Sequence, residues 1–338
     1  MLLTEEIDGI IVNYNSAKFR HIVRASISSY LELPCRRLFV VDNASRDGSY
    51  EFLVQEFSDE HRVKFVRLSR NRGYAGAVNH VYSLNRDSLS RVFFVTNNDL
   101  VLLETNGALK ILKLFESLPR LGVASGVLLY PSRRVQTAGF LLNDLGLLVN
   151  LCHTESLSEC VFDGKIRLVT FASGALSFVK REVVECMPEK IPYPSRGFMY
   201  LDDIILGAKL WELGFASAVL NEPLAVHYES LSSESFAKAY ILGRALAIQR
   251  KLLVPCIHAG QISDKLLPTL YAGAVSVRIG KGKKFLRKSF LKGFKRGITE
   301  YKTKKEYWKK YKIFVRKIYH AHGLYWMVRR IERFITLQ

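Results

Sequence analysis

Apolar residues in the first hundred positions come in short unbroken runs, and each run ends in a polar cluster. IDGIIVN (residues 7–13) leads into YNS, LFVVD (38–42) into NASRDGS, VKFVRL follows as a third run, and RVFFV leads into TNND. Runs without polar alternation predict strands buried on both faces. Between them, FRHIVRASISSYLEL places Ile22, Ala25, Ile27 and Tyr30 at helical spacing, and GYAGAVNHVYSLN reads as a second helix. Strands alternating with helices predict an α/β fold, a mostly parallel Rossmann-like sheet flanked by helices. Ligands of such sheets bind beyond the carboxyl ends of the strands, which is where every polar cluster lies. From 120 to 180 the pattern is mixed, with Pro131, Gly139 and Gly146 marking an irregular insertion. FASGALSFVKREVVECM then reads as strand, turn and helix. YLDDIILGAKLWELGF is a helix with Asp202 and Asp203 at its start and Gly214 as its stop.

The chain has 338 residues, 49% of them hydrophobic, enough for one α/β domain and an appendage. Charge divides it. Residues 1–260 hold 29 Lys and Arg against 27 acids, whereas residues 261–338 hold 21 against 4, so a neutral body (1–255) is expected to carry a basic C-terminal region (256–338). In KKEYWKKYKIFVRKIY, Tyr307, Trp308, Tyr311, Phe314, Val315 and Ile318 share one helical face, with lysines and Arg316 opposite. A basic amphipathic helix of this kind suits an anionic membrane surface. Packing of the stripe on the body is the alternative; nucleic-acid binding is disfavoured because the neutral body does not continue the patch. Five scattered cysteines without a C-x-x-C pair predict separate, reduced thiols in a cytoplasmic protein. MLLTEEIDGI is too acidic for an export signal, and LLPTLYAGAVSV is too short to span a bilayer. The expected location is cytoplasmic, peripheral at the inner face of the membrane.

Several clusters carry candidate chemistry. Asp42 ends an apolar strand where a carboxylate accepts a hydrogen bond from a nucleobase N–H; Asp47, beside Gly48 and Ser49, reads equally as a helix cap. Gly73 and Gly76 allow close backbone approach, whether to a ligand or to a packed helix. Asp99, two residues after Asn97, offers oxygen ligands to a hard cation such as Mg²⁺ or Mn²⁺ that neutralises a pyrophosphate, although an Asx turn explains it alone. Asp202 and Asp203 at a helix start are also explained by the helix dipole, and His227 follows another apolar strand.

Taken in order, IIVNYNS, VVDNASRDGS, NRGYAGAVN, TNNDLVL, TAGF, SGALSFVKREV, YLDD and VHYES resemble a family 2 glycosyltransferase of the GT-A type, similar to its rhamnosyltransferase-like branch, over roughly residues 5–252. The resemblance implies an inverting hexosyltransferase that uses a dTDP-, UDP- or GDP-linked sugar donor and a glycan or lipid-linked acceptor in cell-surface polysaccharide synthesis. It places the donor near Val12, Asn13, Asp42, Asn43, Asn71, Gly73, Asn97, Asn98, Gly174 and Ala175, with Asp42 contacting the base. It makes Asp99 and His227 ligands of a divalent metal, Asp203 the general base and Asp202 its neighbour. Two departures stand out. Asn97 and Asn98 occupy the first two metal-motif positions, where many relatives carry Asp and branch members Pro, and Ile205 replaces an acid of the acceptor helix. A catalytically silent nucleotide-sugar-binding module is the competing reading.

Overall fold

A computed structural model describes residues 7–142, 148–160, 164–200, 202–229, 236–254 and 284–314. The first half alternates as the apolar runs predict: β1 (Ile7–Asn13), α1 (Arg20–Leu31), β2 (Cys35–Asp42), α2 (Ser49–Glu56), β3 (Val63–Arg67), α3 (Gly73–Asn85) and β4 (Val92–Asn97). Then come β5 (Leu100–Leu102), α4 (Thr105–Ser117), β6 (Leu121–Leu129), β7 (Val135–Thr137), β8 (Phe140–Leu142), β9 (Leu148–Asn150), β10 (Ile166–Val169), β11 (Leu176–Lys180), α5 (Arg181–Glu185), α6 (Asp202–Glu212) and β12 (Ala216–His227).

The main sheet runs β10-β12-β6-β11-β4-β1-β2-β3, with β5 added to β12 and β7 to β6. Its first half is parallel, β1 pairing with both β2 and β4. Its second half is mixed, because β11 runs antiparallel to β4 and β6 while β12 is parallel to β6. Alternate residues of the apolar runs serve two cores. Phe94 and Ile11 meet Val23, Ile27, Ile111 and Phe115 of α1 and α4, whereas Phe93, Val95 and Ile10 meet Val78, Val81 and Tyr82 of α3 with Leu206 and Leu210 of α6. The lack of alternation in the sequence follows from this double cover.

Two expectations are corrected. Cys152 and Cys160 form a disulfide, their Cα atoms 5.4 Å apart, because the chain after β9 folds back on itself. Cys35 is a buried free thiol and Cys186 an exposed one; Cys256 lies outside the described residues. Cysteine usage therefore no longer argues for a reducing compartment. Among the described residues no helix is long and apolar enough to cross a membrane.

The second correction concerns the tail. The helix of the aromatic stripe, α9 (Lys305–Lys309), ends after five residues, and Ile313–Phe314 instead pairs in parallel with Leu253–Val254. Val315 and Ile318 lie outside the described residues. Trp308 and Tyr311 are 0% and 1% exposed, packed on Ile205, Ala208 and Trp211 of α6 and on Ala245 and Ile248 of α7 (Phe236–Leu252). The Tyr307 and Tyr311 hydroxyls also donate to Glu189. Among the described residues of the stripe, Trp308 and Tyr311 are thus spent in the interior.

Helix α8 (Lys284–Thr303) lies along α7 with glycines at the crossing. A Cβ built on Gly293 would fall inside the van der Waals radius of the Tyr240 carbonyl, one on Gly243 would meet Phe290 and one on Gly297 would meet Arg244. Arg244 adds an ion pair to Glu300 at 2.6 Å. Helix propensity alone makes Gly→Ala stabilising by about 1 kcal/mol. At Gly293 the contact decides the sign, and Gly293→Ala is expected to destabilise by about 1 to 3 kcal/mol in urea unfolding with an unchanged m-value. A more stable variant would contradict the close crossing.

Candidate functional site

Parallel register brings the polar run ends together. Asn13 stands opposite Asp42, and Val12, half-buried, stands opposite Asn97. Asn13 Nδ2 donates to Asp42 Oδ1 at 3.1 Å, Ser45 N–H donates to Asp42 Oδ2 at 3.0 Å, and Arg67 Nε lies 3.6 Å from the same oxygen. Asp42 is 0% exposed, so its carboxylate organises the turn after β2. Asp47 precedes Gly48, the N-cap of α2, and its oxygens accept Ser49 N–H at 3.1 Å and Ala17 N–H at 2.8 Å. Asn43 and Asn71 shape the loop before α3. Asn43 accepts Arg72 N–H at 2.8 Å and donates to the Gly73 carbonyl at 3.1 Å, while Asn71 accepts Gly73 N–H at 2.8 Å. Gly73 has φ +71 and no room for a Cβ against Phe198, a requirement of packing.

The next strand end carries the cluster around Asp99. β4 stops at Asn97, residues 98 and 99 form a turn, and β5 pairs antiparallel with β12 so that His227 stands opposite Leu100. This register, with Tyr228 N–H donating to the Asp99 carbonyl at 2.9 Å, brings His227 Nε2 to 3.1 Å from Asp99 Oδ1. Asn97 Nδ2 lies 3.3 Å from the same nitrogen. Asn98 points away and donates to Asn13 Oδ1 at 2.8 Å, joining the cluster to Asp42. Mg²⁺-like cations prefer octahedral sites with bonds of about 2.0 to 2.1 Å, which puts neighbouring ligand atoms about 3 Å apart. Asp99 Oδ1 and His227 Nε2 fit that spacing, and a carboxylate oxygen with an imidazole nitrogen is a donor set that Mn²⁺ accepts.

Two residues here carried no signal in the sequence, Gln136 of β7, which contacts His227, and Lys238 of α7; Glu229, inside VHYES, extends the cluster through Gln136. Burial lowers the Lys238 amine below the usual lysine range, while Asp99 and Glu229 pull it back up.

The third cluster lies at the same strand ends. Ala175 O accepts Asn97 N–H at 2.9 Å and Thr96 Oγ1–H at 3.1 Å, and the adjacent Gly174 N–H donates to Asp203 Oδ2 at 3.0 Å. Asp203 Oδ1 accepts Ile204 N–H at 2.9 Å, and Tyr74 OH donates to Gly174 O at 2.9 Å. Burial raises the Asp203 carboxyl against these backbone donors. Asp202 lies deeper, 3% exposed, its Oδ1 without a hydrogen-bond partner among the described residues and next to Gly197. Burial, then repulsion from Asp203, pushes its carboxyl up to about 8. Ile205 is 0% exposed and packs against Trp308 and Tyr311, so it faces the tail. Through Asn13, Asn98, Asn97, Ala175 and Gly174, positions 42, 99, 227 and 203 are linked by hydrogen bonds and chain neighbours along one end of the sheet.

Residues 9–144 match the family described as glycosyl transferase family 2. No curated protein sequence matches the chain. Two solved structures share its fold. One is the mannosyltransferase PcManGT from Pyrobaculum calidifontis, in complex with GDP-Man and Mn²⁺, at 15% identity over 87% of each chain with a TM-score of 0.52. The other is GalNAc-T7 with UDP, GalNAc and Mn²⁺, at 13% identity over 89% of this chain and 58% of that one, with a TM-score of 0.57. At these identities the likeness is one of fold. With that match over residues 9–144 and that architecture across most of its length, the chain has a GT-A fold whose first half is similar to glycosyl transferase family 2.

Proposed function

We propose that the protein is an inverting glycosyltransferase that moves a sugar from a nucleotide-sugar donor to a hydroxyl of a glycan or lipid-linked acceptor, with a divalent cation held by Asp99 and His227. The observation that carries the reading is the 3.1 Å approach of Asp99 Oδ1 to His227 Nε2, one turn of chain from the Ala175–Gly174–Asp203 bridge. Both neighbours of the same fold hold Mn²⁺ with a nucleotide or nucleotide sugar. When bound, the cation would neutralise the diphosphate as it leaves.

The remaining work falls to the chain. Asp203 receives the acceptor hydroxyl's proton as that oxygen forms a bond to the anomeric carbon and the bond from that carbon to the diphosphate oxygen breaks. A single displacement inverts the centre. Burial makes Asp203 a stronger base than an exposed carboxylate, and the Gly174 and Ile204 N–H groups hold its plane without using every lone pair. Asp202, pushed up to about 8, holds its proton near neutral pH and so adds little repulsion against the ionised Asp203. Ile205, the departure from the family pattern, belongs to the tail-facing core. Asn97 still reaches His227 from the first motif position.

Two outcomes test these roles. Asp203→Asn is expected to lower kcat for release of nucleoside diphosphate in the presence of acceptor by about 10²- to 10⁴-fold while calorimetric donor binding stays within a few-fold. Undiminished turnover would remove Asp203 as the base, and a wild-type chain that binds donor but never turns over across a sugar panel would favour the silent module. Asp202 binds its proton up to about pH 8 when folded but only to about pH 4 when unfolded, so the folded state holds more protons between those values and stability falls as pH rises through that window. Asp202→Asn is expected to flatten this decline in denaturant unfolding from about pH 5 to pH 8. Parallel curves for the two proteins would show that Asp202 is not buried with an unmet charge.

A further inference from the structure

His227 has two ring nitrogens, and only one faces Asp99. The other, Nδ1, lies 2.9 Å from Gln136 Oε1, and the Gln136 Nε2 donates to Glu229 Oε2 at 2.9 Å. The arrangement settles which atom does what. A carboxylate only accepts, so the Gln136 NH₂ must face Glu229, and its carbonyl oxygen must face the imidazole. A carbonyl only accepts as well, so Nδ1 carries the hydrogen. In the neutral imidazole Nε2 then keeps its lone pair, 3.1 Å from Asp99 Oδ1.

Gln136 is itself fixed. It is 7% exposed on β7, and its backbone carbonyl accepts Asn150 Nδ2–H at 3.0 Å and lies 3.0 Å from His153 Nδ1, within the loop that the Cys152–Cys160 disulfide closes. His227 is 6% exposed, so water does not substitute freely for this partner.

We propose that Gln136 is a positioning residue: with Glu229 it locks His227 in the Nδ1–H tautomer and presents Nε2 as a ready metal ligand. The inference rests on the reading that Asp99 and His227 hold a divalent cation. Nothing in residue type or spacing marks it, since Gln136 neither touches the cation position nor belongs to a charged cluster. Outer partners of ligating histidines typically contribute about 10- to 100-fold in metal affinity.

The test is Mn²⁺ binding to the full chain by titration calorimetry, without donor or acceptor, together with long-range ¹H–¹⁵N correlation of the His227 ring above neutral pH. Wild type is expected to show the Nδ1–H tautomer. Gln136→Met keeps the volume but loses the acceptor, and is expected to mix the tautomers and weaken Mn²⁺ by about 10- to 100-fold. Gln136→Glu combined with Glu229→Gln keeps an acceptor opposite Nδ1 and a donor to that acceptor, and is expected to retain the tautomer and bind within several-fold of wild type. Equal losses in the Met and double variants would assign Gln136 to packing and overturn the proposal, as would unchanged affinity in Gln136→Met. If both variants fail to fold, an Nε2–H tautomer in the wild-type spectrum overturns it unaided. Asp99→Asn separates the two levels: if it binds Mn²⁺ like wild type the metal reading fails, whereas if only Asp99→Asn loses affinity the metal reading stands and the role of Gln136 does not.

Discussion

The parallel pairing of β1 with both β2 and β4 sets Asn13 beside Asp42 and Val12 beside Asn97, and nearly everything at the site follows from that register. A slip of one residue would exchange the side chains of the two cores and move the polar strand ends out of register with one another. Double-sided burial prevents the slip, since Ile10 and Ile11, or Phe93 and Phe94, fill opposite cores. The antiparallel return of β12 along β5 then adds the one long-range element that the parallel half cannot supply, a histidine opposite the turn that carries Asp99. The site is thus a junction between the parallel and mixed halves of one sheet.

Most polar groups at this junction are committed to one another. Asp42, Asn43 and Asn71 hold loops in shape, and Asn98 ties the Asp99 turn to β1. What stays chemically available is narrower: the Asp99 and His227 pair, and Asp203 backed by a carboxyl that burial keeps protonated near neutrality. Two adjacent acids at a helix start are ordinarily a response to the helix dipole. Here depth separates them, Asp202 against Gly197 and Asp203 against the Gly174 turn, and two different protonation behaviours result.

Elements with short-range causes were legible in the sequence. The bounds of β1 and α3 fall where the apolar runs and turn residues place them, and Gly214, at φ +84, ends α6. Partners that meet only through tertiary pairing were not. Cys152 and Cys160 are eight residues apart with no motif between them, Gln136 is an uncharged residue on a three-residue strand, and the aromatic stripe near 308 has the same period whether it meets lipid or Ile205. Periodicity reports that a face is apolar and leaves open what covers it. The order of motifs led to Asp99, Asp203 and His227, and the hydrogen bonds that join them explain why such distant positions share one strand-end edge.

Diffraction from crystals soaked with Mn²⁺ and a nucleoside diphosphate, recorded at the manganese absorption edge, tests the central claim most directly. The account predicts one anomalous peak within bonding distance of both a carboxylate oxygen of Asp99 and Nε2 of His227, on the side of the strand ends that Asp203 faces. A nucleotide bound with manganese elsewhere, or bound with none between these two residues, would contradict it.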